Sequence, residues 1–164
     1  MQRMKATELR AQIEDFTAAY VECLDTDHLE EWPDFFTERC IYKVIPYENA
    51  ALGMPIPLIY GDSRGMLRDR VVAHRNANFF APHLYRHLVG RVRIVGEESG
   101  VISARANYAV FRTTLDPSDY GRSELFSVGV YQDKIVFENG QPRFLEKIVV
   151  VDTSQIPTLL VTPL

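Results

Sequence analysis

Cysteine is nearly absent: Cys23 and Cys40 are the only two in 164 residues. They can form at most one disulfide, and alone they cannot build a zinc or iron–sulfur cage. No Cys-x-x-Cys pair, Gly-x-Ser-x-Gly elbow or glycine-rich phosphate loop occurs, so the sequence carries none of the corresponding signatures. No apolar run exceeds about five residues, too short to span a bilayer. The first residues, MQRMKATELR, lack an apolar h-region. No signal peptide is therefore expected, the thiols are expected to be reduced, and the expected location is the cytoplasm. Internal repeats and low-complexity linkers are also missing. A net charge of −4 argues against nucleic acid as a partner.

What is present is an ordinary globular composition, 46% apolar and 24% charged. A chain of this length fits one domain, 1–164, with a core of its own. Charge is segregated along it. Residues 1–38 carry ten acids and three bases, whereas 64–112 carry nine arginines against Asp69, Glu97 and Glu98. This pattern has two readings: two solvated faces of opposite sign, or self-complementary assembly through Arg-rich contacts.

Leu9, Ile13, Phe16, Tyr20 and Cys23/Leu24 recur with helical spacing and predict an amphipathic helix ending near Asp25, with Thr7 as its cap. Asp27-His28-Leu29-Glu30 reads as a capping box for a short second helix. Trp32, Phe35 and Phe36 form a core cluster. Cys40–Tyr47 reads as a strand and 49–61 as an apolar loop, either lidding the core or covered by a partner. Asp62 or Ser63 caps a third helix carrying Met66, Leu67, Val71 and His74. The remaining strands are Tyr85–Val95 (Leu88, Val92 and Ile94 inward), Ile102–Arg112, Glu124–Phe137 and Arg143–Asp152. Hairpin turns fall at Glu97–Gly100 and Glu138–Gln141, and Gly129 marks a bend or bulge. Helices gathered ahead of an antiparallel meander predict an α+β fold. A curved, mainly antiparallel sheet wrapping the first helix would be cone-shaped, as in the nuclear-transport-factor-2-like (cystatin-like) fold.

Candidate chemistry is sparse. His83 and His87 sit on a predicted strand, about 13 Å apart by strand rise and too far for one metal. They read as hydrogen-bonded or interface histidines. A cone could house proton transfer by Asp25, Tyr42, His74 and His87. This leaves open a stand-alone isomerase or dehydratase, or a small-molecule binding module.

Several ordered segments resemble one family. Trp32-Pro33-x-Phe35-Phe36-Thr37-x-x-Cys40-x-Tyr42-x-Val44 is one. Asp62-Ser63-x-x-Met66-Leu67-x-Asp69-Arg70, Arg75-x-Ala77-Asn78, His83-x-Tyr85-Arg86-His87-x-x-Gly90 and the final Pro163-Leu164 are the others. Together they resemble the small (β) subunits of Rieske-type aromatic-ring-hydroxylating dioxygenases. The branch is the one acting on aromatic acids such as terephthalate, anthranilate, salicylate and benzoate. The resemblance implies a non-catalytic structural subunit, trimeric and bound to a large (α) subunit in an α3β3 oxygenase. The large subunit would hold the Rieske [2Fe–2S] cluster and the mononuclear iron. This chain would then contribute no catalytic, metal or cofactor residue. Its interface candidates are Arg64, Arg68, Arg75, Arg86, Arg91 and Arg93, with Ile156, Leu159, Leu160 and Leu164 in an apolar tail expected to be extended and covered by protein.

Overall fold

A computed structural model of the chain describes residues 6–54, 56–77, 82–116, 118, 121–155, 160 and 162–164. Helix α1 (Ala6–Asp25) lays Ile13, Phe16, Tyr20, Cys23 and Leu24 into the core. Thr7 lies inside the helix, not at its cap. The expected capping box does not form. Asp27 takes a left-handed backbone (φ 59°), and its carboxylate accepts from Arg75. In place of a second α-helix the chain makes one 3₁₀ turn, Trp32–Phe35, with Pro33 in its first positions, where a missing N–H costs nothing.

Strand β1 (Phe36–Pro46) leads into a one-turn helix α2 (Tyr47–Ala51) and then edge strand β2 (Ile59–Ser63). The expected loop at 49–61 thus contains regular structure at both ends. Helix α3 (Arg64–Asn76) is capped by Ser63, whose hydroxyl accepts from Met66 N–H. It buries Leu67, Val71 and His74, while Met66 stays exposed.

The single strand expected over 85–95 is two strands, β3 (His83–Val89) and β4 (Arg93–Glu98), both paired to the long β5 (Val101–Thr114). The break at 90–92 resets the alternation. Tyr85 and His87 face in with Val92, and Leu88 faces out. β5, β6 (Ser123–Glu138) and β7 (Gln141–Val151) form the meander. Ser99-Gly100 and Asn139-Gly140 all take positive φ, as two-residue type I′ hairpins require. The sheet order is β2-β1-β7-β6-β5-β3, with β4 also on β5. β1 and β7 pair in parallel and the remaining pairs are antiparallel.

Within the β5–β6–β7 meander the register shifts fall at Phe126 and Leu145, not at Gly129. The shift at Phe126 turns both Phe126 and Ser127 inward. Gly129 instead marks a close approach: a Cβ there would run into the Val150 carbonyl and lie 3.1 Å from the Tyr108 ring. The sheet wraps α1, the 3₁₀ turn and α3 into a cone whose inside is the core. Among the described residues no helix is long and apolar enough to cross a membrane.

Candidate functional site

The inside of the cone is lined with aromatic hydroxyls. Strand parity explains why. Tyr42, Tyr85, Tyr108 and Tyr131 all fall on inward positions of their strands and are buried. Burial pushes all four phenols above their ordinary range, Tyr85 to about 12. Tyr20 of α1 joins them. Its hydroxyl accepts from Trp32 Nε1 at 3.3 Å and donates to the Leu164 oxygen at 2.8 Å. Tyr42 donates to the same oxygen at 3.2 Å and accepts from Leu164 N–H at 2.9 Å. Leu164 is fully buried. The end of the tail is therefore held in the chain's own core, and Leu160 packs against that core half-buried. Ile156 and Leu159 lie outside the described residues.

Asp25 and His87 come together. The carboxylate accepts from His87 Nδ1 at 2.5 Å and from the His87 backbone N–H at 2.9 Å. A carboxylate bound there places a proton on Nδ1. His87 has no exposed side-chain surface, and 6% of Asp25 is exposed. A cleft at the cone's mouth is lined by Leu24, Asp25, His74, His83, Tyr85 and Thr162. Burial, with the Arg75 charge second, lowers the basicity of His74. Of the four proton-transfer candidates, Asp25 and His87 thus touch, His74 shares the cleft with Asp25, and Tyr42 is tied to Leu164. Among the described residues no three His, Cys, Asp or Glu side chains gather to hold a metal ion.

A second buried pair has no counterpart among the sequence-predicted residues. Lys147 Nζ lies 3.2 Å from Asp133 Oδ1 and 3.6 Å from the Tyr131 ring centre. The sequence does hold a signal for it: Lys147 shares inward parity with Val149 and Val151 on β7, and Asp133 with Tyr131 and Ile135 on β6.

The outer surface separates the predicted arginines into two groups. Arg64 binds the Phe36 carbonyl and lies 3.7 Å from Glu38. Arg68 meets Asp34 at 3.3 Å, and Arg75 clamps Asp27 and Glu30, both at 2.7 Å. These three join the basic helix to the acidic front within one chain. Arg86, Arg91 and Arg93 are exposed, with Arg91 reaching only a loose 3.9 Å contact to Glu14. Exposed apolar side chains cluster in two places. One is the α2–β2 arm, where Leu52 is 70% and Ile56 66% exposed. The other is the outer face of β3, β5 and β6, where Leu84, Leu88, Phe111, Leu125 and Val128 are exposed.

An α+β cone of a wrapped mixed sheet around an N-terminal helix is the nuclear-transport-factor-2-like fold. Here its interior is filled by aromatic rings and the chain's own Leu164. The family model described as "Ring hydroxylating beta subunit" matches residues 19–158. The chain belongs to that family. It is 41% identical to the anthranilate 1,2-dioxygenase small subunit of Burkholderia cepacia over 145 residues, 88% of each chain. It is 37% identical to subunit beta 1 of the terephthalate 1,2-dioxygenase terminal oxygenase component of a Comamonas species, covering 93% of this chain and 97% of that one. A crystal structure assigned as the beta subunit of an aromatic-ring-hydroxylating dioxygenase from Novosphingobium aromaticivorans superposes with a TM-score of 0.87. It is 41% identical and covers 97% of this chain and 99% of its own.

Proposed function

We propose that this chain is the non-catalytic small subunit of a multicomponent dioxygenase that hydroxylates an aromatic acid, and that its work is to hold the oxygenase together. The observation that carries the reading is the 41% identity to an anthranilate dioxygenase small subunit across 88% of both chains. The large subunit partner follows from that kinship. On this reading three copies assemble with three large subunits in the cytoplasm. The Rieske [2Fe–2S] cluster and mononuclear iron reside in the large subunit.

Two surfaces support a role in assembly. A cyclic trimer joins two different patches of each copy. Exposed Arg86, Arg91 and Arg93 supply a basic patch whose counterpart is the acid-rich outer side of α1. Side chains as exposed as Leu52 and Ile56 are what a covering subunit would bury. Leu164, fixed inside the cone, serves the fold of this chain, and Leu160 rests beside it.

Metal analysis tests the division of labour. The chain purified alone should hold no iron after chelation, and the complex with a Rieske-type large subunit should hold all of it. Stoichiometric, chelation-resistant iron in the lone chain would overturn the reading.

A further inference from the structure

The apolar patch on the outer face of β3, β5 and β6 has a charge set inside it. Strand register builds the patch. Leu88 pairs with Ala109 and Ala109 with Val128, and one row along Arg86 pairs with Phe111 and Phe111 with Leu125. Leu84 extends it, and Arg86 is exposed among these apolar side chains. Most arginines that could serve a partner are already used within the chain. Arg64, Arg68, Arg75 and Arg112 meet Glu38, Asp34, Asp27 with Glu30, and Glu124. Among the described residues Arg86 forms no ion pair. An unpaired guanidinium within an exposed apolar patch is the composition of an interface centre, where arginine is enriched and other charges are depleted.

A surface of opposite character lies elsewhere on the same chain. A groove between α1, the 3₁₀ turn and the β6–β7 hairpin has Phe16, Phe35 and Pro142 along its floor and Asp15, Glu31 and Asp34 on its rim. Arg143 is the one cation there, and its Nη1 is engaged by the Pro142 carbonyl. Asp34 is held by Arg68, but among the described residues Asp15 and Glu31 form no ion pair. The two surfaces therefore match in charge and in apolar content. They also lie at opposite ends of β6. Leu125 stands near its start and the hairpin follows Glu138, roughly 40 Å of strand away. One copy cannot bring its own two surfaces together. A contact between them is heterologous, and a heterologous contact that closes makes a ring.

We propose that the β3–β5–β6 face of one copy seats in the acidic groove of the next copy of this chain, with Arg86 reaching Asp15 and Glu31. The inference rests on the trimer proposed above and names the two surfaces that make it. Phe111 and the leucines supply the apolar burial. The charge pair fixes the register and the head-to-tail sense, because face-to-face pairing would oppose Arg86 to its own copy. The exposed α2–β2 arm is left free for the large subunit.

Disulfide cross-linking of the full chain, alone and in complex with a Rieske-type large subunit, tests the contact. Cys23 and Cys40 are buried and stay out of the reaction. Ala19 lines the groove and Leu125 belongs to the face, both exposed. A chain carrying Ala19→Cys with Leu125→Cys should oxidise to covalent dimers and then trimers, with nothing larger, while either substitution alone should give neither. Charge reversal supplies a second reading. Arg86→Glu, and separately Asp15→Arg with Glu31→Arg, should each weaken the trimer about tenfold by light scattering, and all three in one chain should restore it. Leu125→Cys linking to its own copy or to the large subunit would overturn the proposal, as would a trimer indifferent to these reversals. Any of these with co-purification intact removes the contact and spares the subunit reading. Failure of the unmodified chain to co-purify with the large subunit overturns both.

Discussion

Lys147 and Asp133 pair entirely inside the protein, Nζ to Oδ1 at 3.2 Å, and the rings of Tyr131, Tyr20 and Phe144 surround the ammonium at 3.6, 4.5 and 4.6 Å. Burial lowers the lysine's basicity and raises the carboxyl's pKa, and each partner opposes that effect on the other. Removing one member strands the other. Lys147→Met should cost about 3–5 kcal/mol at neutral pH by denaturant unfolding, while Lys147→Met with Asp133→Leu should recover most of it. A stranded buried acid has a raised pKa in the folded state. The single variant's deficit should therefore shrink as pH falls and the carboxyl protonates.

Arg75 closes the bend after α1. It binds Asp27 Oδ2 at 2.7 Å and Glu30 through Oε1 at 2.7 Å and Oε2 at 3.0 Å. The Arg75 hydrogen bond comes first among the causes that hold the Glu30 carboxyl down at about 2. A depressed acid stabilises the fold above its unfolded pKa and loses that contribution as pH falls through the folded value. The stability gap between wild type and Arg75→Met should therefore be present at pH 6 and close between roughly pH 4 and 2. A carbon-13 titration of Glu30 should show its midpoint return to the ordinary carboxylate range in the variant.

Gly129 tests the packing of the sheet. Its missing Cβ makes room for the Val150 carbonyl and the Tyr108 ring. Gly129→Ala should cost about 1–3 kcal/mol as overpacking. Gly96→Ala, where a Cβ meets nothing within 4 Å, should fall within about 0.5 kcal/mol of wild type. Thermal unfolding of the two variants side by side checks the contrast.

Local patterns in the sequence announce local structure. The stripe from Ile13 to Leu24 places α1, Ser63 is a cap, and Asn139-Gly140 makes its hairpin. The departures share a cause. Alternation carried unbroken through Gly90 puts Leu88 in the core, and the break at 90–92 inverts the parity of everything before it. Asp27 resembles a cap because its partner, Arg75, is distant in sequence. The parallel pairing of β1 with β7 and the seat of Leu164 between Tyr20 and Tyr42 join distant segments, which no periodicity records. The meeting of Asp25 with His87 is of the same kind: each stands out in the sequence as a proton-transfer candidate, but only the fold brings them within 2.5 Å.

Assembly through charge makes a separate prediction. Arg91 and Arg93 are exposed, and on the proposed reading they face the acidic side of the next copy. Reversing both to Glu should weaken the trimer and leave the monomer's thermal stability nearly unchanged. Light scattering at moderate salt should show the mass fall toward that of one chain. An unchanged mass would move the interface elsewhere.

On the proposed reading this chain completes an oxygenase whose redox centres lie in another subunit. Co-expression with a Rieske-type large subunit of an aromatic-acid dioxygenase tests it most directly, read as oxygen uptake by the purified complex supplied with reductant and aromatic acid. The two chains should co-purify in equimolar amounts, with uptake that neither chain sustains alone. Failure to co-purify, or turnover by this chain without the large subunit, would contradict it.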